Sequence, residues 1–537
     1  MARTMVGTAE APAGPRDRRK WLVLAAMVFG LFMPMLDNLV VNVALPTIQR
    51  ELGAGVSGLQ WLIDAYTLTF ASFMLTGGAL GDLYGRKRFF MSGLVVFVAG
   101  SLACGLSGSI GQLIAFRAVQ GLGAAMLLPG SLSIITATFT GKERGAAIGI
   151  WAAMSGLAIA LGPLVGGWLV EHASWQSIFF INVPIGVAGL GMTWLVVRES
   201  RDERKARRLD PPGLITGTAG LFFLVYALIE GNARGWTDGL ILGSFGMAAV
   251  LLTVFFWVET RREYPMLPLA FFRIPTFAAA NVVAASVFFA LFGTTFFLSL
   301  YLQNVQGYSP VGAGIRLFPF TLMILVVAPV SGRLSDRFGS RWFMTIGTLV
   351  IATGMALLIR TEVESSYLGV ILPAFVVLGT GMAMTMSPMT AAVMASVPVA
   401  RAGVASAATN TSRELGGVLG IAVLGAVVTS AFKRAFESNL LRAGFPHQAV
   451  GAIVGGAGQS AAAGRLTVQT VLQQAPPGTS HQTAVTIVDA VHASFTHAIH
   501  IGMMAAVGLA LFASLVSLLF VRSHAEAEQP HALPVAP

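Results

Sequence analysis

The sequence predicts an all-α polytopic membrane protein, and three observations predict this class. Hydrophobic residues make up 55% of the 537 residues and charged residues only 11%, whereas soluble domains are roughly one quarter charged. Apolar stretches of about 20 residues, the length of a helix that crosses a bilayer, recur along the chain. Lys and Arg collect in every second segment between these stretches, as membrane topology requires.

We interpret fourteen of these stretches as transmembrane helices. The breaks between them contain charged residues or turn-forming Gly, Ser and Pro residues, and the shortest break lies at 107–109. The predicted spans cover residues 21–45, 57–80, 89–107, 109–136, 145–170, 177–198, 213–230, 239–258, 276–302, 310–331, 342–360, 366–391, 403–430 and 495–521.

The basic residues predict that both termini lie in the cytoplasm. With the N-terminus inside, about 24 of the 34 Lys and Arg residues fall on the cytoplasmic side, including RESRDERKARR at 198–208. Topology therefore explains the net charge of +10, and nucleic acid is not expected as a partner. We expect a multi-pass protein of the cytoplasmic membrane.

A short motif occurs twice in equivalent positions. GALGDLYGRKR at 78–88 follows span 2, and GRLSDRFGSRW at 332–342 follows span 10. Glycine permits the tight turn between the two helices, and a duplicated half is how many secondary transporters are built. We assign these residues to two gating loops: Gly78, Asp82, Gly85 and Arg86 in the first copy, and Gly332, Asp336, Gly339 and Arg341 in the second.

The two copies lie eight spans apart, whereas two consecutive six-helix bundles would place them six apart. Two extra helices, spans 7 and 8, are therefore expected between the bundles. Because one chain contains both halves, we expect a functional monomer. The predicted parts are a cytoplasmic tail (1–20), an N-terminal six-helix bundle (21–198), a charged linker with two extra helices (199–275), a C-terminal six-helix bundle (276–521) with a long outside loop (431–494), and a second cytoplasmic tail (522–537).

Further motifs give the sequence a family resemblance. LDNLVVNVALP (36–46), LIAFRAVQGLGAA (113–125) and LGPLVGG (161–167) resemble motifs of helices 1, 4 and 5 in the fourteen-span drug/proton antiporter branch of the major facilitator superfamily. WQSIFFINVPIG (175–186) and YLQNVQGYSPVGAG (301–314) are also similar to this branch, as is the repeated loop. The resemblance implies a major facilitator fold of two six-helix bundles plus two extra central helices. It also implies proton-coupled export of amphipathic drugs, antibiotics or dyes.

Two positions depart from the family pattern. Ala158 replaces the Gly that usually stands four residues before the Gly-Pro pair of helix 5, and Gln176 replaces an Arg after Trp175. Alanine is small enough to keep close helix packing. Gln176 removes a charge from an outside loop, and the sequence predicts no consequence of that loss.

Asp37 is the acidic residue of span 1. It stands in MLDNLVVNVALP (35–46), at the end of an apolar run with no other acid. A carboxylate at bilayer depth is costly and usually lies on a proton, ion or substrate path; the competing interpretation places Asp37 at a helix end in headgroup water. We interpret it as a protonation site, and name Asn38, Asn42 and Gln120, with Asp37 itself, as candidate substrate contacts.

Arg117 and Asp64 are the other charged residues within spans of the N-terminal bundle that we single out. Arg117 shares a helix face with Gln120 and Gly121, and a permanent cation there needs a partner, which Asp37 or another acid of this half could supply; the alternative is an Arg that snorkels to an interface. Asp64 could load and release protons as access alternates, or serve a structural role near the outside mouth. We predict Asp37, Asp64 and Arg117 as proton-coupling residues.

Small residues line span 5, where they permit close approach of another helix. Generic packing explains most of them. The resemblance implies that in antiporters this contact seals the outside end and limits leak. The residues assigned to it are Gly162, Pro163, Gly166 and Gly167.

Several chemistries are not expected. The single cysteine, Cys104, excludes a disulfide within the chain and a Cys-based metal site. His492, His497 and His500 lack an acid or Cys that would complete a ligand set, so neither a metal nor a cofactor is predicted. TGKERG at 140–145 lacks the spacing of a nucleotide-binding GxxxxGK[ST] loop, and no nucleophile–base pair indicates an enzyme.

Two rival functions remain at the level of sequence. One is proton symport or uniport of a small metabolite, which the antiporter motif of span 5 disfavours. The other is a non-transporting membrane sensor or scaffold, which would have no use for charges inside the bilayer or for a repeated gating loop. Lipid bilayer, protons and a small amphipathic molecule are thus the expected partners.

Overall fold

The computed structural model is built of α-helices joined mostly by short segments. It describes residues 18–53, 56–140, 142–201, 211–262, 265, 267, 269–398, 401–451, 453–454, 468–474 and 480–522. No β-strand occurs in these ranges, so the all-α prediction is confirmed. Most of the predicted N-terminal tail, charged linker and C-terminal tail (1–17, 202–210 and 523–537) lies outside the described residues.

Six long helices form the N-terminal bundle. The turn predicted at 107–109 separates the third from the fourth, and there Ser109 Oγ accepts a hydrogen bond from the backbone N–H of Gln112 (3.4 Å), which caps the fourth helix. The helices are α1 (Arg18–Leu52), α2 (Val56–Tyr84), α3 (Arg86–Gly105), α4 (Ile110–Thr138), α5 (Lys142–His172) and α6 (Asn182–Val196).

Two further helices precede the C-terminal bundle. Asp238 caps the second of them by accepting hydrogen bonds from the N–H groups of Leu240 and Ile241. The extra helices are α7 (Pro211–Arg234) and α8 (Gly239–Arg261). The C-terminal bundle consists of α9 (Pro275–Leu300), α10 (Pro310–Phe338), α11 (Ser340–Leu358), α12 (Leu372–Ala395), α13 (Ala402–Arg442) and α14 (His481–Phe520).

The helix pairs of the first bundle recur in the second bundle eight helices later. In the first, α1 packs on α5, α2 on α4, and α3 on both α4 and α6. In the second, α9 packs on α13, α10 on α12, and α11 on both α12 and α14. The duplication predicted from two short loops therefore extends to the packing of whole helices. The bundles meet through α5 with α10 and through α2 with α13.

Twelve of the described helices are long and apolar enough to cross a membrane. The two other predicted spans, 57–80 and 145–170, fall on α2 and α5, which are not among the twelve. Every predicted span thus coincides with a helix, but the count of fourteen membrane crossings stays a prediction.

The segment 431–494, predicted as an outside loop, is helical at both ends. Helix α13 continues to Arg442, and α14 already begins at His481. Charged residues interrupt the apolar run beyond residue 430, but Phe432, Phe436 and Leu440, spaced four apart, are buried on one face. A search for continuous apolar stretches does not detect an amphipathic extension of this kind.

The extra helices lie against the boundary between the bundles. Helix α7 contacts both α2 and α13, while α8 packs mainly on α7. Leu68 of α2, Val225 of α7 and Val418 of α13 belong to one buried apolar cluster. Thr76 Oγ1 of α2 also lies 2.7 Å from Thr218 Oγ1 of α7. One side of the boundary is therefore covered by α7.

Candidate functional site

Asp37 and Arg117 form a buried ion pair between α1 and α4. Arg117 Nη1 donates to Asp37 Oδ2, and both side chains are fully buried. Gln120, one turn after Arg117, donates from Nε2 to Asp37 Oδ1 (2.8 Å) and accepts at Oε1 from Arg117 Nη1 (2.9 Å). Because both side chains are fully buried in this pair, Asp37 does not face headgroup water and Arg117 does not extend to an interface.

Asn182, at the start of α6, is a site residue that sequence reasoning missed. Its Nδ2 donates to Asp37 Oδ1 (2.8 Å) and contacts Ser101 Oγ of α3 (3.0 Å). Ser101 Oγ in turn donates to the carbonyl of Phe179 (2.8 Å). A signal was present, because Asn182 is the polar residue in FFINVPIG, a segment that is otherwise apolar.

Helix α2 also contacts the guanidinium group of Arg117. The Tyr66 ring centroid lies 4.2 Å from Arg117 Cζ, a cation–π geometry, and Arg117 Nε donates to the carbonyl of Leu62 (3.3 Å). Arg117 Nη2 has no hydrogen-bond partner among the described residues. The site thus holds one negative and one positive charge, surrounded by amides and an aromatic ring.

Asp64 lies outside this site. Leu62 and Tyr66 contact Arg117, and Asp64 stands two residues from each of them, about 200° away around the helix. The structure therefore separates the two acids that the sequence grouped together.

The candidate substrate contacts divide in the same way. Gln120 belongs to the Asp37 site, and Asn38 is half-buried on α1 next to it. The side chain of Asn42 lies outside the described residues. Their roles as substrate contacts stay predictions.

The first gating loop connects the two bundles. Asp82 pairs with Arg86 (Oδ1 to Nε, 2.8 Å) and accepts a hydrogen bond from Ser133 Oγ (3.2 Å). Its other oxygen, Oδ2, accepts from the backbone N–H of Val404 (3.1 Å), in the first turn of α13. A carboxylate at a helix N-terminus is stabilised by the unpaired N–H groups and the helix dipole. Buried Asp82 therefore joins α2 of one bundle to α13 of the other.

The second gating loop also contacts the start of a helix in the opposite bundle, but the residue that follows its turn is different. A Cβ added to Gly145, in the first turn of α5, would collide with the Asp336 carboxylate, so Asp336 lies against the start of α5. Gly85 and Gly339 share a positive φ, 114° and 87°, which explains why glycine occupies both turns. The matched positions differ after that turn, since the ion-pair partner Arg86 corresponds by register to Ser340. Gly78 and Gly332 are buried within α2 and α10. Arg341 Cζ lies 5.8 Å from the ring centroid of Trp342.

Helix α5 uses glycine on two faces. Gly145 and Gly149 face α10 of the other bundle, whereas a Cβ at Gly162 would lie 2.7 Å from Leu39 Cβ and one at Gly166 would lie 3.0 Å from Val40 Cγ1, both on α1. The Gly162 and Gly166 part of the antiporter motif thus packs within the N-terminal bundle. Gly167 is buried, and the side chain of Pro163 lies outside the described residues.

The described residues contain no group of three or more His, Cys, Asp or Glu side chains that could hold a metal ion.

Comparison with known proteins assigns the family. The sequence profile described as Major Facilitator Superfamily matches residues 27–421. This chain belongs to the major facilitator superfamily. Membership in this superfamily of transporters agrees with the prediction that the chain is not an enzyme.

Relatives in this superfamily match most of the chain. The chain is 40% identical over 428 residues to the multidrug resistance protein Stp of Mycobacterium tuberculosis, covering 80% of this chain and 79% of the relative. It is 35% identical over 530 residues to the tetracenomycin C resistance and export protein of Streptomyces glaucescens, covering 98% and 97%.

Solved structures of the superfamily share the fold. The human organic anion transporter MFSD10 (TETRAN) gives a TM-score of 0.58 at 14% identity, with 94% of this chain and 100% of that chain covered. The proton:xylose symporter XylE gives 0.60 at 14% identity, with 95% and 97% covered. The predicted major facilitator fold is therefore confirmed.

Proposed function

We propose that this major facilitator protein is a proton-coupled antiporter that exports amphipathic drugs, antibiotics or dyes across the cytoplasmic membrane by alternating access. The observation that carries the proposal is the fully buried pair of Asp37 and Arg117, because ionisable groups inside a membrane bundle usually serve transport. The names of the two relatives support the export of drugs. The proton coupling rests on the chemistry of the site.

Asp37 is the proposed proton-exchanging group. A proton on its carboxylate removes the counter-ion of Arg117 and turns one acceptor oxygen into a donor. Arg117 then keeps its hydrogen bond to Gln120 but lacks a counter-ion, so its guanidinium attracts another acceptor. Since protonation changes the interactions that hold α1 to α4, a proton has different affinities for conformations in which this contact is closed or open, and it shifts their populations.

Asp64 is proposed as a second, separate proton-coupling residue. It stands on α2 about 200° around the helix from Leu62 and Tyr66, which contact Arg117, so it would act independently of the Asp37 pair. In this proposal the substrate approaches Asp37, Asn38, Asn42 and Gln120, and Gln120 takes part only after its bonds to Asp37 and Arg117 open. The functional unit is a monomer with both termini in the cytoplasm.

The gating loops supply the conformational contact in this proposal. Asp82 and Asp336 each touch the first turn of a helix in the opposite bundle. Both contacts lie at the end of the molecule that the Lys and Arg distribution predicts as cytoplasmic. Their release would let the bundles separate at that end, and their formation would close it.

The proposal is tested by accumulation of ethidium, a cationic amphipathic dye, in liposomes that contain the purified protein. With an acidic interior, an antiporter releases protons outward and concentrates the dye inside. A uniporter only equilibrates the dye whatever the pH gradient, a symporter driven by outward proton flow does not concentrate it, and a sensor or scaffold moves none. Accumulation that collapses with a protonophore supports antiport, and each of the other three outcomes overturns it.

Asp37→Asn assigns the coupling residue in the same experiment. The variant should lose accumulation because its site cannot exchange a proton. Asp238→Asn, which removes a half-buried acid at the start of α8 but keeps an oxygen that can cap the helix, is the matched control and should behave as wild type. Accumulation by Asp37→Asn at the wild-type level would contradict the role of Asp37 and move the assignment to Asp64.

A further inference from the structure

A basic groove lies where α1, α3 and α6 reach the predicted cytoplasmic boundary of the membrane. It has a volume of about 630 Å³, within the range of about 300–1,000 Å³ typical of small-molecule sites. The candidate membrane spans of these helices begin or end at Arg19, Arg86 and Val196, so the groove sits at the level where spanning segments meet headgroups. Its basic rim consists of Arg19, Lys87, Arg88 and Arg198.

The wall of the groove is apolar. Trp194 and Leu195, at the end of α6, are each 66% exposed, and Met91 of α3 lies beside them. Tryptophan and long apolar side chains at this level favour contact with the upper part of lipid chains. A small inorganic anion would use the charged rim and leave this wall exposed to water.

The rim is held in place by local hydrogen bonds. Lys87 Nζ donates to the carbonyl of Trp194 (2.7 Å), and Arg19 Nε donates to the carbonyl of Val196 (3.2 Å). Glu199 caps α3 by accepting from the backbone N–H groups of Lys87 and Arg88 (3.0 and 3.1 Å). Glu199 is also the one acid lining the groove, against four basic residues. The rim therefore stays positive while its backbone is fixed.

The side chains that remain available are Arg88 and Arg198. Arg88 is 85% exposed and makes only a long contact with Glu199 (3.9 Å), and Arg198 is exposed next to it. An arginine fork matches the oxygens of a phosphodiester. We propose that this groove binds the headgroup of an anionic phospholipid of the surrounding bilayer, with the phosphate on Arg88 and Arg198 and the start of an acyl chain along Trp194 and Leu195. Basic pockets at the cytoplasmic side of membrane helices recognise such headgroups.

The test is native mass spectrometry of the detergent-purified full chain with equal amounts of phosphatidylglycerol and phosphatidylcholine that carry the same acyl chains. Wild type should retain phosphatidylglycerol preferentially. The double variant Arg88→Gln/Arg198→Gln should lose affinity for phosphatidylglycerol by roughly ten-fold, because two charges near the headgroup are removed. Equal retention of the two lipids by wild type would overturn the proposal.

Arg261→Gln/Arg262→Gln is the matched control, since it removes two exposed arginines at the end of α8, outside the groove. It should keep the wild-type preference; an equal loss in both double variants would indicate diffuse surface charge and overturn the site. Unchanged binding in Arg88→Gln/Arg198→Gln would do the same. All variants are first compared by thermal unfolding, so that a loss of lipid is not a loss of fold.

Millimolar inorganic phosphate separates a lipid site from a free-anion site. It should leave bound phosphatidylglycerol in place, because the apolar wall contributes only to lipid binding. Trp194→Ala should weaken lipid retention while all four basic residues remain. Displacement by phosphate, together with no effect of Trp194→Ala, would show that the groove is an anion site and not a lipid site.

Discussion

Asp37 is stable inside the bundle because three donors from two other helices surround its carboxylate. Arg117 and Gln120 approach from α4, and Asn182 approaches from α6. A buried charge pair contributes little net stability, but removal of one partner leaves an uncompensated charge. Removal of either partner alone should therefore destabilise the protein more than removal of both.

Asp37→Asn should lower the free energy of unfolding by about 3–5 kcal/mol, because Arg117 is left buried without a counter-ion. The double variant Asp37→Asn/Arg117→Gln should recover part of this loss. Thermal unfolding of detergent-purified protein measures both. Asp64→Asn, which leaves the Asp37–Arg117 pair intact, should not lower the melting temperature. A single Asp37→Asn variant as stable as wild type would contradict the buried pair.

Cys104 reports on the opening of the same site. Its thiol is fully buried and lies 3.8 Å from Gln120 Oε1. A maleimide should therefore label the native protein far more slowly than the denatured protein, and the single cysteine makes the stoichiometry unambiguous. Arg360→Cys in a Cys104→Ser background, at an exposed position, is the control and should label rapidly. Rapid labelling of native Cys104 would show that the closed site opens freely.

At the scale of elements, the small residues of α5 pack against two different helices. Its first turns face α10 through Gly145 and Gly149, and its later turns face α1 through Gly162 and Gly166. The sequence predicted generic packing for most of these residues, and the resemblance implied an antiporter contact for Gly162, Pro163, Gly166 and Gly167. The structure divides the small residues into a contact between the bundles and a contact within one bundle.

Gly162→Ala should destabilise the protein by about 1–3 kcal/mol, because the new Cβ would lie 2.7 Å from Leu39 Cβ and α5 would have to move away from α1. Gly191→Ala on α6 is the matched control, since a Cβ there meets no atom within 4 Å. It should be neutral or stabilising by up to about 1 kcal/mol through helix propensity. Equal melting temperatures for the two variants would contradict close packing at Gly162.

At the scale of the whole molecule, two acids connect the bundles at one end. Asp82 reaches the first turn of α13, and Asp336 reaches the first turn of α5. The contacts are related by the internal duplication, although Arg86, which pairs with Asp82 in the first copy, corresponds by register to Ser340 in the second. Each contact joins a carboxylate to the first turn of a helix, where unpaired N–H groups and the helix dipole stabilise a negative charge.

Asp82→Asn should shift the protein toward conformations in which the two bundles are further apart at this end. Loss of a charge-assisted hydrogen bond worth about 1.5–3 kcal/mol is enough to change a two-state equilibrium roughly ten-fold or more. Spin labels at Arg88 and Arg333, in a Cys104→Ser background, measure the separation by electron double resonance. Asp238→Asn is the control. An unchanged distance distribution in Asp82→Asn would show that Asp82 does not hold the bundles together.

Much of this architecture is readable from local patterns. Helices follow from runs of apolar residues, and the duplication follows from Asp82 and Asp336 in matching loops, because these signals depend on neighbours along the chain. The amphipathic end of α13 escaped the same method, since the charges beyond residue 430 hide a buried stripe that includes Phe436. Asn182 was missed for a different reason, because its partner Asp37 lies 145 residues away in the sequence.

By itself, the sequence determined the all-α membrane class, the order of the helices and the charged residues worth attention. Only the tertiary structure decided that Asp37, and not Asp64, is the partner of Arg117. The physical reason is rotation about the helix axis: residues two apart point in nearly opposite directions. Which direction faces a neighbouring helix depends on the packing of α1, α2 and α4 together, and no local pattern in any one of them contains that information.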